Sequence, residues 1–319
     1  MSISVIEAVT GAYERTKRVL FEPFDIGKWF VLGFCAWLAS LGEGGGGGSG
    51  VNFPGSPGGG PGGRGGGGLP PEFRAAIDWC EEHLLLVIAA AVALFVLLVA
   101  IWVVVTWLSS RGRFMFLDGV VRNRGAIVEP WRRFRTVANS LFWFRILVGA
   151  IGLVLLGLIA TLGVVIAWED LCAWEFGRKA LIGFVASMVM MLPLGLIGFL
   201  IGLLLKDFVV PVMYLRGARV LAAWGVFGRE ILSGHFGAIV LFYLLKIVLA
   251  IGMVVIACCA TCATCCLAAI PYLGTVILLP LFVFERCYSL YFVQQVGPAW
   301  RIFQDEPPPY VPAEAPPAA

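Results

Sequence analysis

The sequence predicts an all-α, polytopic transmembrane helical bundle of about six spans, opened by an N-terminal amphipathic interfacial helix. Three observations carry that expectation. Of 319 residues, 60% are hydrophobic and only 13% charged, against roughly 25% charged in an ordinary soluble domain. The apolar residues gather in runs long enough to cross a bilayer, and mean hydropathy reaches +0.93. Lys and Arg collect between alternate pairs of those runs. This balance excludes a pair of water-soluble enzyme domains, and two histidines leave little material for acid–base or metal chemistry.

Residues 1–28 read as a cytoplasmic amphipathic segment. Val5, Ile6, Val9, Ala12, Tyr13, Val19 and Leu20 recur at helical spacing while Glu7, Glu14, Arg15, Lys17 and Arg18 point elsewhere. Such a helix either lies in the lipid headgroup layer or packs on the bundle. Residues 29–41 form a short first transmembrane segment, below the ~20 residues a crossing needs unless it starts at Phe24. A signal peptide is disfavoured, because 28 residues precede this run and no small-residue cleavage site follows. Residues 42–82 are a Gly/Pro-rich external linker and a short helix. Glycine fills most of 42–68, yet the strand, helix and lysine that a phosphate-cradling loop requires are missing, so a flexible linker is expected there.

The helical membrane bundle is placed at 83–296. Leu84–Leu108 has no charge and carries Trp102 and Trp107 towards one end. A second uncharged run covers Ile146–Trp168 and a third Ala180–Leu205, the latter with Gly183, Ser187, Gly195 and the GxxxG pair Gly198/Gly202, a spacing that lets helices approach closely. Phe236–Phe284 holds one charge, Lys246, and is too long for one crossing. Pro271, Tyr272 and Gly274 place a turn there, giving a fifth span to about Thr261 and a sixth from Ile270 to Val293. The tail, 297–319, is proline-rich and expected to be disordered.

Counted on alternating sides of six spans, seventeen Lys and Arg fall on one side and four on the other. Because short basic loops stay inside, both termini and the arginine-rich segment between spans two and three are expected in the cytoplasm, with the chain a multi-pass protein of the bacterial inner membrane.

Arg15-x-Lys17-Arg18-Val19-Leu20-Phe21 with Pro23-Phe24 and Lys28-Trp29, then a short span and a glycine tract, resemble uncharacterised bacterial multi-pass proteins similar to the membrane domain fused to some glycerophosphodiester phosphodiesterases. Asp207-Phe208-Val209-Val210-Pro211-Val212-Met213 resembles that family's span-ending proline segment, and Pro271-Tyr272 with Pro280 its last helix. The phosphodiesterase domain itself is absent from these residues, so the resemblance implies a membrane module without that hydrolase.

Candidate sites follow from chemistry. Arg122, Arg124, Arg132, Arg133 and Arg135 would face anionic headgroups, or would serve only to orient the chain. Lys246, Glu285 and Arg286 are intramembrane charges, expensive and therefore functional leads; Lys246 either pairs with Glu285 or snorkels to the interface. Cys80 and Cys172 are disulfide candidates on external segments. Cys259, Cys262 and Cys265 match a cluster-binding spacing but lack a fourth ligand at Ala269, leaving helix packing, a disulfide or a metal open. No nucleophile elbow, zinc-helix motif or phosphate loop appears, and no catalytic residue, cofactor or metal is expected. The leading expectation is a non-catalytic module that binds membrane lipids, anionic ones in particular, or a membrane-protein partner, and no nucleic acid. The alternative is a small-solute transporter or channel, suggested by helices broken at Pro193 and Pro280.

Overall fold

A computed structural model describes residues 4–41, 79, 82–172, 177–264, 267 and 270–303. Among these residues the regular elements are all helical: α1 (Val5–Phe21), α2 (Ile26–Ser40), α3 (Leu84–Arg122), α4 (Val128–Arg133), α5 (Arg135–Cys172), α6 (Arg178–Leu204), a π-helical turn (Leu205–Val209), α7 (Val210–Arg216), α8 (Val220–Val226), a second π-helical turn (Phe227–Leu232), α9 (Ser233–Ala263), α10 (Pro271–Ile277), α11 (Leu279–Gln294) and a 3-10 turn (Pro298–Trp300). Four stretches are long and apolar enough to cross a membrane: Leu84–Arg122, Arg135–Asp170, Arg178–Arg216 and Val220–Ala263.

Two of the six expected spans do not reach that length. Helix α2 has 15 residues, about 22 Å of rise. The expected sixth span is interrupted between α10 and α11, where Pro280 at the start of α11 withholds an N–H from the helical ladder. Pro193 has no such effect, since α6 runs through it. Apolar helices tolerate an internal proline where surrounding groups re-satisfy the backbone.

The chain divides into two units, 50–105 and the remainder, with the boundary inside α3. In the smaller unit the Trp79 and His83 rings stack with centroids 4.8 Å apart, and Leu85, Phe95 and Leu98 of α3 are exposed. In the larger unit the buried core gathers α1, Leu32–Ala36 of α2, Phe114–Val121 of α3, Phe134–Leu141, Leu205–Met213, Val220–Ile231 with Ile239 and Phe242, and Leu279–Phe303. Large apolar side chains beyond it, such as Leu153, Leu158, Leu181, Val189, Ile247 and Ile256, stay exposed, the pattern expected of surfaces whose solvent is hydrocarbon.

Helix α1 is capped by Ser4, whose hydroxyl accepts from Glu7 N at 3.3 Å, and lies along α11. Its buried face is Val5, Ala8, Ala12, Arg15, Thr16, Val19 and Leu20. The stripe expected from the sequence is therefore rotated: Ile6 and Tyr13 point outward and Arg15 inward. Small residues set this register, since a methyl group on Gly11 would lie 2.9 Å from the Tyr291 ring. Ser4 and Gln295 then exchange two hydrogen bonds, of 2.8 and 3.0 Å, between the two ends of the chain.

Helix α2 is wedged between α3 and α10. Trp29 Nε1 donates to Val276 O at 2.8 Å, and Thr275 Oγ1 donates to Gly33 O at 3.2 Å. Gly112 of α3 lets the backbones touch, because a methyl there would sit 2.7 Å from Ala39 N. The expected close helix contact at Gly198 and Gly202 is not made among the described residues: both glycines face open space. The contact lies elsewhere on the same helix, where a methyl on Gly183 of α6 would stand 2.5 Å from Gly163 O of α5. Ser187 reinforces it by donating to Gly183 O at 2.8 Å.

Candidate functional site

The first ion network is built where α6 gives way to the π-helical turn. A π turn adds a residue per turn and leaves carbonyls without their usual partners. Here Arg286 Nη1 donates to Lys206 O at 2.7 Å, which answers one of them. The turn buries Asp207 at 1% exposure. Its carboxylate accepts from Lys246 Nζ at 2.6 and 2.8 Å and from Ser289 Oγ at 2.9 Å. Glu285 Oε1 lies 3.2 Å from both Lys246 Nζ and Lys206 Nζ. Rings close over the group: Phe242 stacks on Tyr288 at 4.6 Å, Phe208 meets Phe242 at 5.5 Å, and Lys246 Nζ sits 5.9 Å from the Phe242 centroid. Two carboxylates and their cations are thus held on α9, α11 and the turn. The arrangement can clamp these three elements together.

The sequence brings Lys246, Glu285 and Arg286 forward as candidates, and the fold gathers all three. Asp207, the principal partner of Lys246, is not among those candidates. Its signal is nonetheless present as an acid embedded in Leu203-Leu204-Leu205-Lys206-Asp207-Phe208-Val209-Val210, where a lone carboxylate between apolar runs needs a buried cation.

The second network sits at the end of α3. Asp118, fully buried, receives Arg122 Nε at 3.2 Å, Arg124 Nη2 at 3.0 Å and the Tyr214 hydroxyl at 3.0 Å. Glu129 takes Arg124 through two bonds of 2.6 and 2.9 Å, and that bidentate guanidinium holds its carboxyl below the usual carboxylate range. Asn123 adopts φ 52°, a left-handed conformation asparagine tolerates, so the chain reverses and Arg124 swings back over Asp118. Arg15 caps the same helix end: its Nη2 donates to Val121 O at 2.6 Å and its guanidinium lies 4.7 Å from the Phe303 ring.

The five loop arginines therefore divide. Arg122 and Arg124 are committed to Asp118 and Glu129, whereas Arg132, Arg133 and Arg135 are exposed and form no ion pair among the described residues. Arg133 packs on Phe134 at 5.4 Å. Exposed Trp143 follows on α5, an aromatic of the kind that favours a lipid–water interface.

Cys172 is exposed on α5; Cys80, its expected partner, lies outside the described residues, as do Cys265 and Cys266. Cys258, Cys259 and Cys262 are exposed near the end of α9.

The helices and the arginine face define an all-helical protein with four segments capable of crossing a membrane. The chain belongs to DUF7544, a family of unknown function, which matches residues 3–302. No curated protein and no solved structure matches it.

Proposed function

We propose that the chain is a non-catalytic integral membrane module that binds anionic lipid headgroups on the cytoplasmic face through Arg132, Arg133 and Arg135. One observation carries the reading: nearby acids neutralise Arg122 and Arg124 but leave these three exposed, next to helices whose apolar faces are also exposed. Basic residues at an anionic leaflet contribute about 1 kcal/mol each, so three acting together hold lipid appreciably. In this reading the module sits in the bacterial inner membrane with both termini inside. Helices α2 and α10–α11 complete a six-span arrangement around the four long helices, and α1 rests at the headgroup level with Ile6 and Tyr13 outward. The likeness of its Lys/Arg-rich start and Pro211 segment to the glycerophosphodiester phosphodiesterase membrane domain supports a lipid-facing role without the hydrolase.

Replacing Arg132, Arg133 and Arg135 together by Gln tests it. Arg111, Arg113, Arg122 and Arg124 remain to keep the orientation. Anionic lipid co-purifying with the chain is expected to fall several-fold, and its lipid-dependent gain in melting temperature to shrink, most at low salt where screening is weak. Unchanged lipid content in a correctly oriented variant would leave these arginines only an orienting role.

A further inference from the structure

Arg111 has no part in either ion network. It lies in α3 at 7% exposure, its guanidinium carbon 4.6 Å from the Trp107 ring and 4.6 Å from the Trp131 ring. The two rings meet edge to face with centroids 5.6 Å apart, so the guanidinium is lodged between them. One of its donors, Nη2, reaches Asn139 Oδ1 at 3.2 Å. Another, Nε, is buried with no hydrogen-bond partner. Among the described residues no carboxylate lies within ion-pair distance of Arg111; the nearest acids along the chain, Asp118 and Glu129, are taken by Arg122 and Arg124. Arg135 lies one helical turn before Asn139 on α5 and brings its own positive charge to that face. Arg145, one helix over, donates to Ser109 Oγ at 3.0 Å and so lines the same α3–α5 seam.

A buried guanidinium without a counter-charge is costly. Two aromatic rings and one amide oxygen return part of that cost through cation–π contacts and a hydrogen bond. What is missing is an anion, and the donor set specifies its kind: a planar guanidinium with a donor left unpaired suits the paired oxygens of a phosphate group. Asn139 adds a directional contact, since its Oδ1 is engaged by Arg111 and its amide nitrogen is the atom left to donate.

The geometry points to a discrete phosphate-binding site at Arg111, held between Trp107 and Trp131 and flanked by Asn139 and Arg135. It rests on the reading that this face meets anionic lipid, and it sharpens that reading from a diffuse basic surface to one saturable site per chain. The same chemistry fits the phosphodiester of a lipid headgroup and free inorganic phosphate.

The protein is reconstituted in phosphatidylcholine nanodiscs, and two probes are added separately: phosphatidylglycerol by mole fraction, and inorganic phosphate in solution. Melting temperature and the number of bound lipids by native mass spectrometry are read for wild type, Arg111→Lys, Arg111→Gln and the Arg132/Arg133/Arg135→Gln variant. Wild type is expected to show one saturable phosphatidylglycerol above a looser population. Arg111→Lys keeps the charge but loses the fork, and should weaken that single site at least 10-fold; Arg111→Gln should abolish it. The triple variant should lose the looser population and keep the saturable lipid, with weakened affinity because Arg135 is gone. Saturation by inorganic phosphate with no response to phosphatidylglycerol would assign the site to a soluble anion and overturn its lipid source. If the saturable lipid survives both Arg111 variants, the site is wrong while the basic-surface reading stands. If the triple variant keeps the looser population while the Arg111 variants lose the saturable lipid, the basic-surface reading fails and the Arg111 site stands. Wild type that binds neither probe in a saturable way overturns the proposal without recourse to any variant, so misfolding of Arg111→Gln does not shield it.

Discussion

Replacing Asp207 by alanine is expected to destabilise the fold by about 3 kcal/mol, the low end of the cost of breaking a buried ion pair, because the cation keeps its contact to Glu285. Lys246 is the cation concerned, with 11% of its side chain exposed against 1% for Asp207. The loss also leaves Ser289 Oγ only its longer bond, to Glu285 O at 3.4 Å. Glu285→Ala should cost less, because Lys246 keeps its two bonds to Asp207 and Glu285 is itself partly exposed. Removing both ends with Asp207→Leu and Lys246→Met should recover much of the loss, since a packed apolar pair is often no worse than a buried ion pair. Unfolding in mild detergent, followed by helical signal for the singles and the double, reads this cycle. A single Asp207→Ala variant within about 1 kcal/mol of wild type, the range of an exposed ion pair, would mean the network is solvated and not a clamp.

Arg15→Met is expected to cost about 3 kcal/mol, as buried carbonyls at the end of α3 go unsatisfied and the Phe303 contact is lost. The carbonyls of Val120 and Val121 are the acceptors, and the positive charge sits where the helix dipole favours it. Arg15→Lys should recover part of this, because the charge and stem remain while the fork is lost. Phe303, which Arg15 covers, lies in a turn that Gln294 also holds, its Oε1 accepting from Ile302 N and Phe303 N at 3.3 and 3.2 Å. Limited proteolysis should therefore cut near Arg301 earlier in Arg15→Met than in wild type, alongside a lower melting temperature. Equal protection and equal melting would remove Arg15 from its place as the pin joining α1, α3 and the tail.

The long helices are legible in the sequence because an apolar run of about twenty residues is what crossing the hydrocarbon core demands, and α3, α5, α6 and α9 each contain one. The face of α1 is not legible. Residue type places Arg15 on the outside, whereas its acceptors lie more than one hundred residues away on α3, a partner no local pattern reveals. Small-residue spacing fails for a related reason: Gly198 and Gly202 carry the motif, but close approach needs a matching gap on the neighbour, which Gly163 supplies opposite Gly183. Counting arginines identifies the basic segment yet does not separate those neutralised by Asp118 and Glu129 from those left over, since that division depends on the chain reversal at Asn123. Asp207 escapes a reading by runs because it follows a span, and the end of a span suggests water where the fold instead supplies Lys246.

The most direct test of a membrane module with its arginine end inside uses the two ends of one helix. In a background with all nine cysteines replaced, single cysteines are placed at Arg132, just before α5, and at Trp168, exposed near its far end. Both are challenged with a membrane-impermeant maleimide in intact spheroplasts and after permeabilisation. The account predicts labelling at position 168 in intact spheroplasts and at position 132 only once the membrane is opened. Labelling of both positions from outside, or of 132 alone, would contradict it.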